Sequence, residues 1–455
     1  NNVASGTAVF DLTDGSVATQ ESNVISASAT SLGGGWYRCE MVAKGDKSGS
    51  YNVFIGADDD GTIGTYTGDG TSGVFIYQSQ LELGLVATDY IETGASTAQA
   101  GILEDMPRLD YSGGASCPAL LLEPQRTNEL SHSEYINSAG GYTITGASAT
   151  YNSNTSPDGH TNATLFDIPY NNAGFYNFAT GGSKSVGDKI TISLFAKLKS
   201  GSVTNVLKLG YGGVAVGGDR LSEFNLSTGT ISYSHPSADS VSIEDYGNGW
   251  YRLIQTQTCS AAGAAGAVMY GKGEMDVYIW GVQSENASYP TSYIPTYGTS
   301  VTRSKDDIDT TFSSALATNG GFTLFMHYDG NGVTNTGGAS STAVLRFQDD
   351  NNQYLGLVCT NRWRLRVTGS FGTEIRTSPY DTTDEVKLLI RSDESGWEMY
   401  ANGASYASGT DSVSWGDISY LIHNPADVRS KHPVKQWAIF PTALTDSECI
   451  ALTTL

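Results

Sequence analysis

Short runs of alternating apolar and polar residues predict β-strands along most of this chain. In Lys189–Lys197, isoleucine or leucine stands at three successive alternate positions, which is the pattern of a strand with one face in a core. The stretch Asp276–Gln283 is apolar on both faces and predicts a central strand covered on each side. No window has the periodicity of an amphipathic helix longer than about three turns. The pattern therefore predicts an all-β protein.

A regular meander of strands and tight turns begins at Ile308. A turn is predicted at Asp393–Gly396, and Asn402-Gly403 is a strong hairpin signal. The chain then ends with a strand, a proline, and a Thr-x-x-Glu capping box at Thr445. That capping box predicts one short terminal helix.

An internal repeat links two earlier parts of the chain. The sequence Gly-Trp-Tyr-Arg occurs at 35–38 and again at 249–252, an offset of 214 residues, which also relates Phe10 to Phe224. Further on, Val-Phe-Ile-Tyr at 74–77 matches Val-Tyr-Ile-Trp at 277–280 at an offset of 203. A Gly- and Asp-rich insertion in the first copy accounts for the change of offset and predicts an enlarged surface loop. We therefore predict two copies of one domain, followed by a different region.

The first copy lacks its front half. In the second copy, residues 128–223 precede the matched block, whereas only nine residues precede it in the first copy. Three explanations stay open: a longer precursor was cut, the missing strands lie outside this sequence, or another subunit supplies them. A half-sandwich would leave strand edges uncovered, so we expect another piece of polypeptide to complete it.

Charge and composition limit the partners. The chain has 47 acidic and 25 basic residues, a formal net charge of −22. Such a surface repels phosphate backbones and anionic lipids, so we expect no nucleic-acid partner and no membrane insertion. The five cysteines stand singly, without metal-ligand spacing, and leave the redox compartment open.

Two sets of motifs resemble known families. The ending, with Trp-Glu-Met-Tyr-Ala-Asn-Gly at 397–403 and Ala-Leu-Thr-Asp-Ser-Glu at 443–448, resembles the concanavalin A-like, laminin-G-like sandwich. The repeated domain has Gly-Asn-Gly-Trp-Tyr-Arg at 247–252 and Trp-Gly-Val-Gln-Ser-Glu at 280–285. It is similar to carbohydrate-binding-module-like jelly rolls common in bacteriophage tail and fibre proteins. The resemblance implies a virion setting, but these motifs are structural and imply no catalytic residue. The first copy departs from the pattern, with Glu92 where the second copy has Pro295.

Together these patterns predict tandem β-sandwiches of the jelly-roll type followed by a concanavalin A-like sandwich. The predicted segments are a partial repeat over 1–100, a Pro-containing connector over 101–127, a complete jelly roll over 128–305, and a laminin-G-like sandwich over 306–455.

Aromatic residues in the repeats are candidates for glycan binding, because an indole ring stacks on a pyranose and an adjacent arginine bonds its hydroxyls. The candidates are Trp36, Tyr37, Arg38, Trp250, Tyr251, Arg252, Tyr278 and Trp280. The alternative is structural: the Trp seals the core and the Arg lies along the sheet. Repetition at both sites favours the structural interpretation.

Two kinds of polar cluster are weaker candidates for binding a ligand. Gln80 with Glu82, and Gln283 with Glu285, share a strand face and could bind a hydroxyl, although such pairs more often satisfy backbone groups. Acidic turns offer the oxygen ligands that calcium prefers, and they contain Asp58, Asp60, Asp306 and Asp307. Neither turn has calcium-loop spacing, so solvated turns are favoured. We expect no cofactor, with calcium as the open alternative.

Motifs for catalysis are absent from the sequence, and its six histidines are scattered, so we expect no enzymatic activity. The leading hypothesis is a non-enzymatic virion structural protein, such as a fibre, tail appendage or capsid decoration, with a glycan-binding role in host adhesion. The alternative is a glycan depolymerase or secreted glycan-active enzyme that carries these modules. A pair of acids spaced for glycosidic hydrolysis in a cleft would favour that alternative.

Assembly follows from the same hypothesis. Phage fibres are usually homotrimers, and a half-domain exposes apolar surface that symmetric association would bury. We therefore expect self-association as a homotrimer on the surface of a virion. Other virion proteins and a cell-surface glycan are the further expected partners.

Overall fold

A computed structural model describes most of the chain. The described residues are 6–43, 53–56, 68–98, 108–110, 119–177, 182–202, 206–306, 308–311, 321–328, 342–349, 354–359, 362–369, 372–381, 384–410, 418–423 and 432–455.

Antiparallel β-strands make up nearly all of the regular structure in these residues, which confirms the all-β prediction. The strands of the first repeat and the connector are β1 Ala8–Asp11, β2 Ser16–Gln20, β3 Val24–Gly33, β4 Trp36–Ala43, β5 Leu109–Asp110, β6 Ala119–Leu122 and β7 Arg126–Asn128. The strands of the second repeat are β8 Tyr142–Thr145, β9 Ser148–Asn154, β10 Ala163–Ile168, β11 Gly174–Asn177, β12 Lys189–Gly201, β13 Val206–Gly212, β14 Arg220–Asn225, β15 Thr230–Tyr233, β16 Ala238–Asp245, β17 Trp250–Thr258, β18 Gly266–Lys272, β19 Met275–Glu285 and β20 Val301–Arg303.

The described residues of the C-terminal region continue the strand pattern and add one α-helix. Its strands are β21 Ile308–Thr311, β22 Gly321–Tyr328, β23 Thr342–Asp349, β24 Tyr354–Cys359, β25 Arg362–Gly369, β26 Gly372–Asp381, β27 Val386–Asp393, β28 Gly396–Ala401, β29 Ala404–Gly409, β30 Ile418–His423 and β31 His432–Phe440. Helix α1 is Asp446–Thr453, and short 3₁₀ turns lie at Ser138–Gly140 and Val214–Val216. Among the described residues, no helix has the length and apolar character needed to span a bilayer.

Packing divides the chain into two compact units. The first contains Asn1–Gly101, Asn128–Asn286 and Tyr293–Val301, and the second contains Ile102–Thr127, Ala287–Ser292 and Thr302–Leu455. Residues 102–127 of the predicted connector thus belong to the second unit.

The second repeat is a complete sandwich of two six-stranded sheets. One has the order β16-β17-β12-β19-β10-β9, and the other has the order β15-β14-β13-β18-β11-β8. Its core lies between them and includes Ile192, Leu194, Phe224 and Val277, all fully buried. Strand β12, predicted from its alternation, lies between β17 and β19, and β19 is largely buried on both faces as predicted. The jelly-roll prediction is confirmed.

The first repeat reproduces half of this sandwich. Its hairpins β1-β2 and β3-β4 correspond to β14-β15 and β16-β17. Even local contacts recur: Asp11 accepts a hydrogen bond from the backbone N–H of Thr13 at 2.8 Å, as Asn225 does from Ser227 at 2.9 Å. The repeat in the sequence is therefore a repeat in the structure.

The second unit is a sandwich of a six-stranded and a seven-stranded sheet, the concanavalin A-like arrangement predicted from the sequence. The sheets have the orders β21-β30-β23-β24-β25-β26 and β29-β28-β27-β22-β31-β6-β5. Strands β5 and β6, from the predicted connector, extend the seven-stranded sheet. Helix α1 packs Cys449 against Phe325, Leu389 and Tyr400, and it begins at the predicted capping box.

A buried ion cluster fixes the connector within the second unit. The carboxylate of Glu123 is buried and accepts hydrogen bonds from Arg108 at 2.8 Å and Arg303 at 2.6 Å. The backbone N–H of Ser292 also donates to Glu123, at 3.0 Å. Burial alone would raise the pKa of Glu123, but Arg303 and Arg108 hold that pKa below its usual value. Arg108 also pairs with Asp306, so the charges of the cluster balance.

Candidate functional site

Six aromatic side chains gather on the outer face of the sheet that contains β12, opposite the sandwich core. We call this set the aromatic face, and its members are Phe195, Tyr246, Trp250, Tyr278, Trp280 and Tyr293. Side chains alternate between the two faces of a strand, so core residues on β12 and β19 leave the intervening positions pointing outward. Three of the predicted glycan-binding residues, Trp250, Tyr278 and Trp280, thus come together here.

Strand register places these rings side by side. Phe195 on β12 lies opposite Trp280 on β19 and Arg252 on β17. Lys197, two residues along β12, lies opposite Tyr278 and Trp250 on the same two strands. Side chains opposite each other on neighbouring strands are about 5 Å apart at Cβ, so the register forms two adjacent rows.

The rings pack at distances typical of aromatic contacts. The centroid of Phe195 lies 5.1 Å from that of Trp280 and 4.8 Å from that of Tyr246, the latter edge to face. Trp280 lies 4.4 Å from Tyr293. Gly281 permits this approach, because it has a φ of +62° and a Cβ there would lie 3.0 Å from the Phe195 ring. Such pairs each contribute about 1 kcal/mol beyond area burial.

Arg252 belongs to the same face. Its guanidinium lies 5.4 Å from the centroid of Phe195 and donates a hydrogen bond to the hydroxyl of Ser193 at 3.0 Å. The side chain is buried, so it is a cation–π partner of the aromatic face and lies along the sheet. This packing favours the structural interpretation of the arginine.

Most of the aromatic face is closed to solvent. Trp250 and Trp280 are 3% and 5% exposed, and the indole N–H of Trp250 donates to the carbonyl of Thr155 at 3.1 Å. The faces of these two indoles are therefore not available as a sugar platform in this structure. The solvent-accessible rim consists of Tyr246, which is exposed, and Tyr278, which is half-buried.

The remaining predicted sugar residues lie elsewhere. Tyr251 packs on the opposite face of β17, against the sandwich core. Trp36, Tyr37 and Arg38 lie on β4 of the first repeat, where Trp36 is exposed and Arg38 pairs with Glu40 at 2.7 Å. The structure therefore unites four of the eight candidates, counting Arg252, and separates the other four.

A buried carboxyl group that no sequence motif predicted adjoins the aromatic face. Glu134 accepts hydrogen bonds from the hydroxyls of Tyr293 at 2.9 Å and Tyr297 at 3.0 Å. Burial raises the pKa of Glu134 to about 7, against the lowering effect of these two hydrogen bonds, and the nearby carboxylate of Asp158 adds to the rise. Glu134 therefore changes charge near neutral pH.

An asparagine connects this carboxyl group to a second one. The amide nitrogen of Asn162 lies 3.3 Å from Glu134 and 2.9 Å from Asp158. Asp158 is exposed and also accepts a hydrogen bond from the backbone N–H of His160 at 2.9 Å, so it closes its own turn. Glu134, Asn162 and Asp158 thus link the interior to the surface, but both carboxylates accept intramolecular hydrogen bonds.

The paired Gln and Glu residues satisfy backbone groups, as the structural interpretation predicted. Gln283 accepts a hydrogen bond from the backbone N–H of Ile294 at 2.7 Å and donates to Glu285 at 2.8 Å. Gln80 makes the same contact with the N–H of Ile91, also at 2.7 Å. Gln283 thus holds the segment after β19 against that strand, and Gln80 makes the equivalent contact in the first repeat.

Of the four calcium candidates, the structure describes one. Asp58, Asp60 and Asp307 lie outside the described residues. Asp306 accepts hydrogen bonds from Arg108 and from the backbone N–H of Glu123, the latter at 2.7 Å, so its oxygens are engaged in the ion cluster. Within the part of the chain that the structure describes, no group of three or more His, Cys, Asp or Glu side chains is placed to hold a metal ion.

Comparison with known proteins gives structural alignments with low scores. No protein-family model and no curated protein matches the chain. Among solved structures, a receptor-binding domain aligns at 10% identity with a TM-score of 0.25, over 32% of this chain and 41% of that one. A Trypanosoma rangeli sialidase in complex with sialic acid aligns at 12% identity and 0.24, over 64% and 60%. The mouse laminin alpha1 domains LG4-5 align at 10% identity and 0.21, over 70% and 95%. Likeness at these values assigns no function to this chain.

Proposed function

We propose that this chain is a non-enzymatic structural protein of a virion appendage and that its complete jelly roll contacts a cell-surface glycan. The observation that carries the glycan part is the rim of the aromatic face, where Tyr246 and Tyr278 flank a preformed aromatic cluster. Rings held by packing lose little freedom on binding, which is the property a sugar-stacking surface requires. The resemblance of the repeat to phage fibre modules supports the virion part.

Binding of glycans to the full chain tests the proposal directly. A panel of immobilised bacterial surface polysaccharides would be screened first, and the affinity of any hit measured by calorimetry. We expect Tyr246→Ala and Tyr278→Ala each to weaken binding by about fivefold, since one lost stacking contact is of the order of 1 kcal/mol. The matched control is Tyr233→Ala, an exposed tyrosine on β15 of the other sheet. Equal losses in all three variants, or no glycan bound at all, would contradict the proposal.

The virion part needs a separate measurement. Mass spectrometry of purified particles should detect peptides of this chain in stoichiometric amounts with the major appendage proteins. Absence of the chain from particles that infect normally would refute the structural role in the virion, but it would not test glycan binding. The homotrimer stays a prediction, and light scattering at physiological salt checks it: a stable monomer at micromolar concentration would contradict it.

Glycan hydrolysis is the second candidate function, because Glu134 and Asp158 form a pair of neighbouring acids in which one pKa is about 7. A general acid for glycosidic cleavage has such a raised pKa, but it must also reach the substrate. Glu134 is buried beneath Tyr293 and Tyr297. We therefore expect no release of reducing ends from any bound polysaccharide. Release that Glu134→Gln abolishes, without a loss of glycan affinity, would establish the enzyme instead.

A further inference from the structure

Two segments of the first repeat correspond to inner strands of the complete sandwich but have no strand partners in the described part of the chain. In the second repeat, β19 lies between β12 and β10, and β18 lies between β13 and β11. The counterpart of β19 is 74–82, and the counterpart of β18 is 53–56, where Val-Phe-Ile-Gly matches Val-Met-Tyr-Gly at 268–271. Neither segment forms a β-ladder.

The apolar side chains of 74–82 are exposed where their counterparts are buried. Val74 is 52% exposed, whereas Val277 is 0% exposed, and Tyr77 is 74% exposed, whereas Trp280 is 5% exposed. In the complete sandwich these positions are covered by the neighbouring strands and by the core or the aromatic face. Exposed apolar residues in a contiguous stretch are typical of an interaction surface.

The same contrast appears in 53–56 and on β4. Phe54 is 87% exposed, whereas Met269, at the matching position of β18, is 0% exposed. Trp36 on β4 is 46% exposed, whereas Trp250 on β17 is 3% exposed. Trp250 owes its burial to Phe195 and Thr155, which both belong to the front half of the second repeat. The exposed apolar residues of the first repeat therefore correspond to residues that the front half covers in the second repeat.

The rest of the first repeat keeps the geometry of the complete copy. Gln80 holds the N–H of Ile91 at the distance at which Gln283 holds that of Ile294. The segment 74–82 is thus anchored at its far end as β19 is. An anchored segment that has no strand partner among the described residues offers backbone N–H and C=O groups on both edges, the arrangement that accepts an added strand.

We infer that the first repeat is an acceptor for a polypeptide segment with the strand pattern of a jelly-roll front half, like that of residues 128–223. The counterpart of β12 would enter between β4 and 74–82, and the counterpart of β13 between β1 and 53–56. The occupant follows from the complete copy, in which those strands separate the same elements. Each inserted strand supplies ladder hydrogen bonds and covers apolar side chains on both edges.

One residue shows that this segment differs from the front half of the second repeat. Gln78, at a φ of +54°, stands where Gly281 has a φ of +62°. In the complete sandwich a Cβ at Gly281 would lie 3.0 Å from the ring of Phe195 and 3.2 Å from that of Tyr293. A segment with a phenylalanine at this position would meet the side chain of Gln78. The segment that fits has a small side chain there, which argues against a second copy of this chain as its source.

A grafted front half tests the inference on the full chain. A duplicate of residues 128–223 would be joined ahead of the chain by a flexible Gly/Ser linker, with Phe195→Ala in the duplicate only. We expect hydrogen exchange in 74–82 and 53–56 to slow by about tenfold or more. The control graft carries Ile192→Asp and Leu194→Asp, which place charges in the core face of the donor strand and should give no protection. Exchange in β19 of the chain proper reports whether the second repeat is folded in every variant.

Each outcome decides for or against the acceptor. Protection with the first graft and not with the control supports it. Protection of 74–82 in the ungrafted monomer would show a closed half-domain, and protection that grows with chain concentration would show a second copy as the occupant. Equal exchange with both grafts, while β19 stays protected, would overturn the inference. A graft that keeps Phe195 and protects as well as the alanine version would overturn the argument from Gln78.

Discussion

Glu134 makes the first unit sensitive to pH, and Glu134→Gln should remove that sensitivity. In the folded protein its pKa is raised from 4.5 to about 7 by burial beside the aromatic face. A folded pKa above the unfolded one means that the folded state binds the proton more tightly. The stabilising contribution is therefore complete below about pH 4.5 and is lost as the pH rises through 7.

The size of the effect follows from the shift. A difference of one pKa unit corresponds to about 1.4 kcal/mol, so the free energy of unfolding should fall by about 3 kcal/mol between pH 4.5 and 8 through this group alone. Glutamine keeps an oxygen that accepts from Tyr293 and Tyr297, but it carries no charge at any pH. The free energy of unfolding of the variant should therefore vary less with pH, and the variant should be most stable relative to the wild type above pH 7.

Urea unfolding followed by hydrogen exchange of β19 measures this unit separately from the rest of the chain. The quantity to compare is the change in unfolding free energy between pH 5 and 8, wild type minus variant, which cancels the other titrating groups. Glu244→Gln, at an exposed position on β16, is the control substitution. Parallel pH curves for the wild type and Glu134→Gln would refute the reasoning.

Three further predictions concern stability. Glu123→Ala removes the buried carboxylate that pairs with Arg303 and Arg108, leaves Asp306 as the remaining partner of Arg108, and should cost about 3–5 kcal/mol by thermal unfolding. Glu385→Ala at a surface pair should cost less than about 1 kcal/mol, and similar values for both would contradict a buried cluster. Gly281→Ala should cost about 2 kcal/mol in urea unfolding, because backbone strain adds to close contacts with the aromatic rings at 3.0 and 3.2 Å. Gly249→Ala, where a Cβ would make only ordinary contact with the Lys197 side chain at 3.7 Å, should cost about 1 kcal/mol, and the reverse order would be inconsistent with the packing. Thr445→Ala should cost about 1 kcal/mol and speed hydrogen exchange in α1, and unchanged exchange would show that the capping box is dispensable.

Local patterns predicted much of the fold. The alternation in β12, the apolar run of β19 and the capping box of α1 each depend on residues a few positions apart, and all three were found where predicted. The repeat was predictable because equal sequences at equal spacing impose equal local contacts. The chemistry near the aromatic face was not, since Glu134 lies in an irregular segment and owes its raised pKa to burial by parts of the chain distant in the sequence, including tyrosines about 160 positions away that bond to it.

Two further features, the burial of the tryptophans and the ion cluster, depend on long-range pairing and were not predictable from local patterns. The burial of Trp250 and Trp280 depends on the register of three strands and on the φ of Gly281, which no short motif encodes. The ion cluster joins Arg108 to Asp306 across 198 positions, so Asp306 could be read from the sequence as a solvated turn residue. Charged residues that pair at such distances show no periodicity.

The pairing of β6 with β31 has a consequence for synthesis of the protein. Residues 120–122 leave the ribosome roughly 300 residues before the strand that they pair with, and closing so long a loop is slow. During that interval the first unit can fold while Leu120 and Leu121 wait without their sheet, a state open to chaperones and proteases. The C-terminal sandwich can be completed only after nearly the whole chain has been translated. A ribosome-stalled chain that ends before residue 432 should accordingly be cleaved by added protease near residues 119–122, and the released full chain should resist.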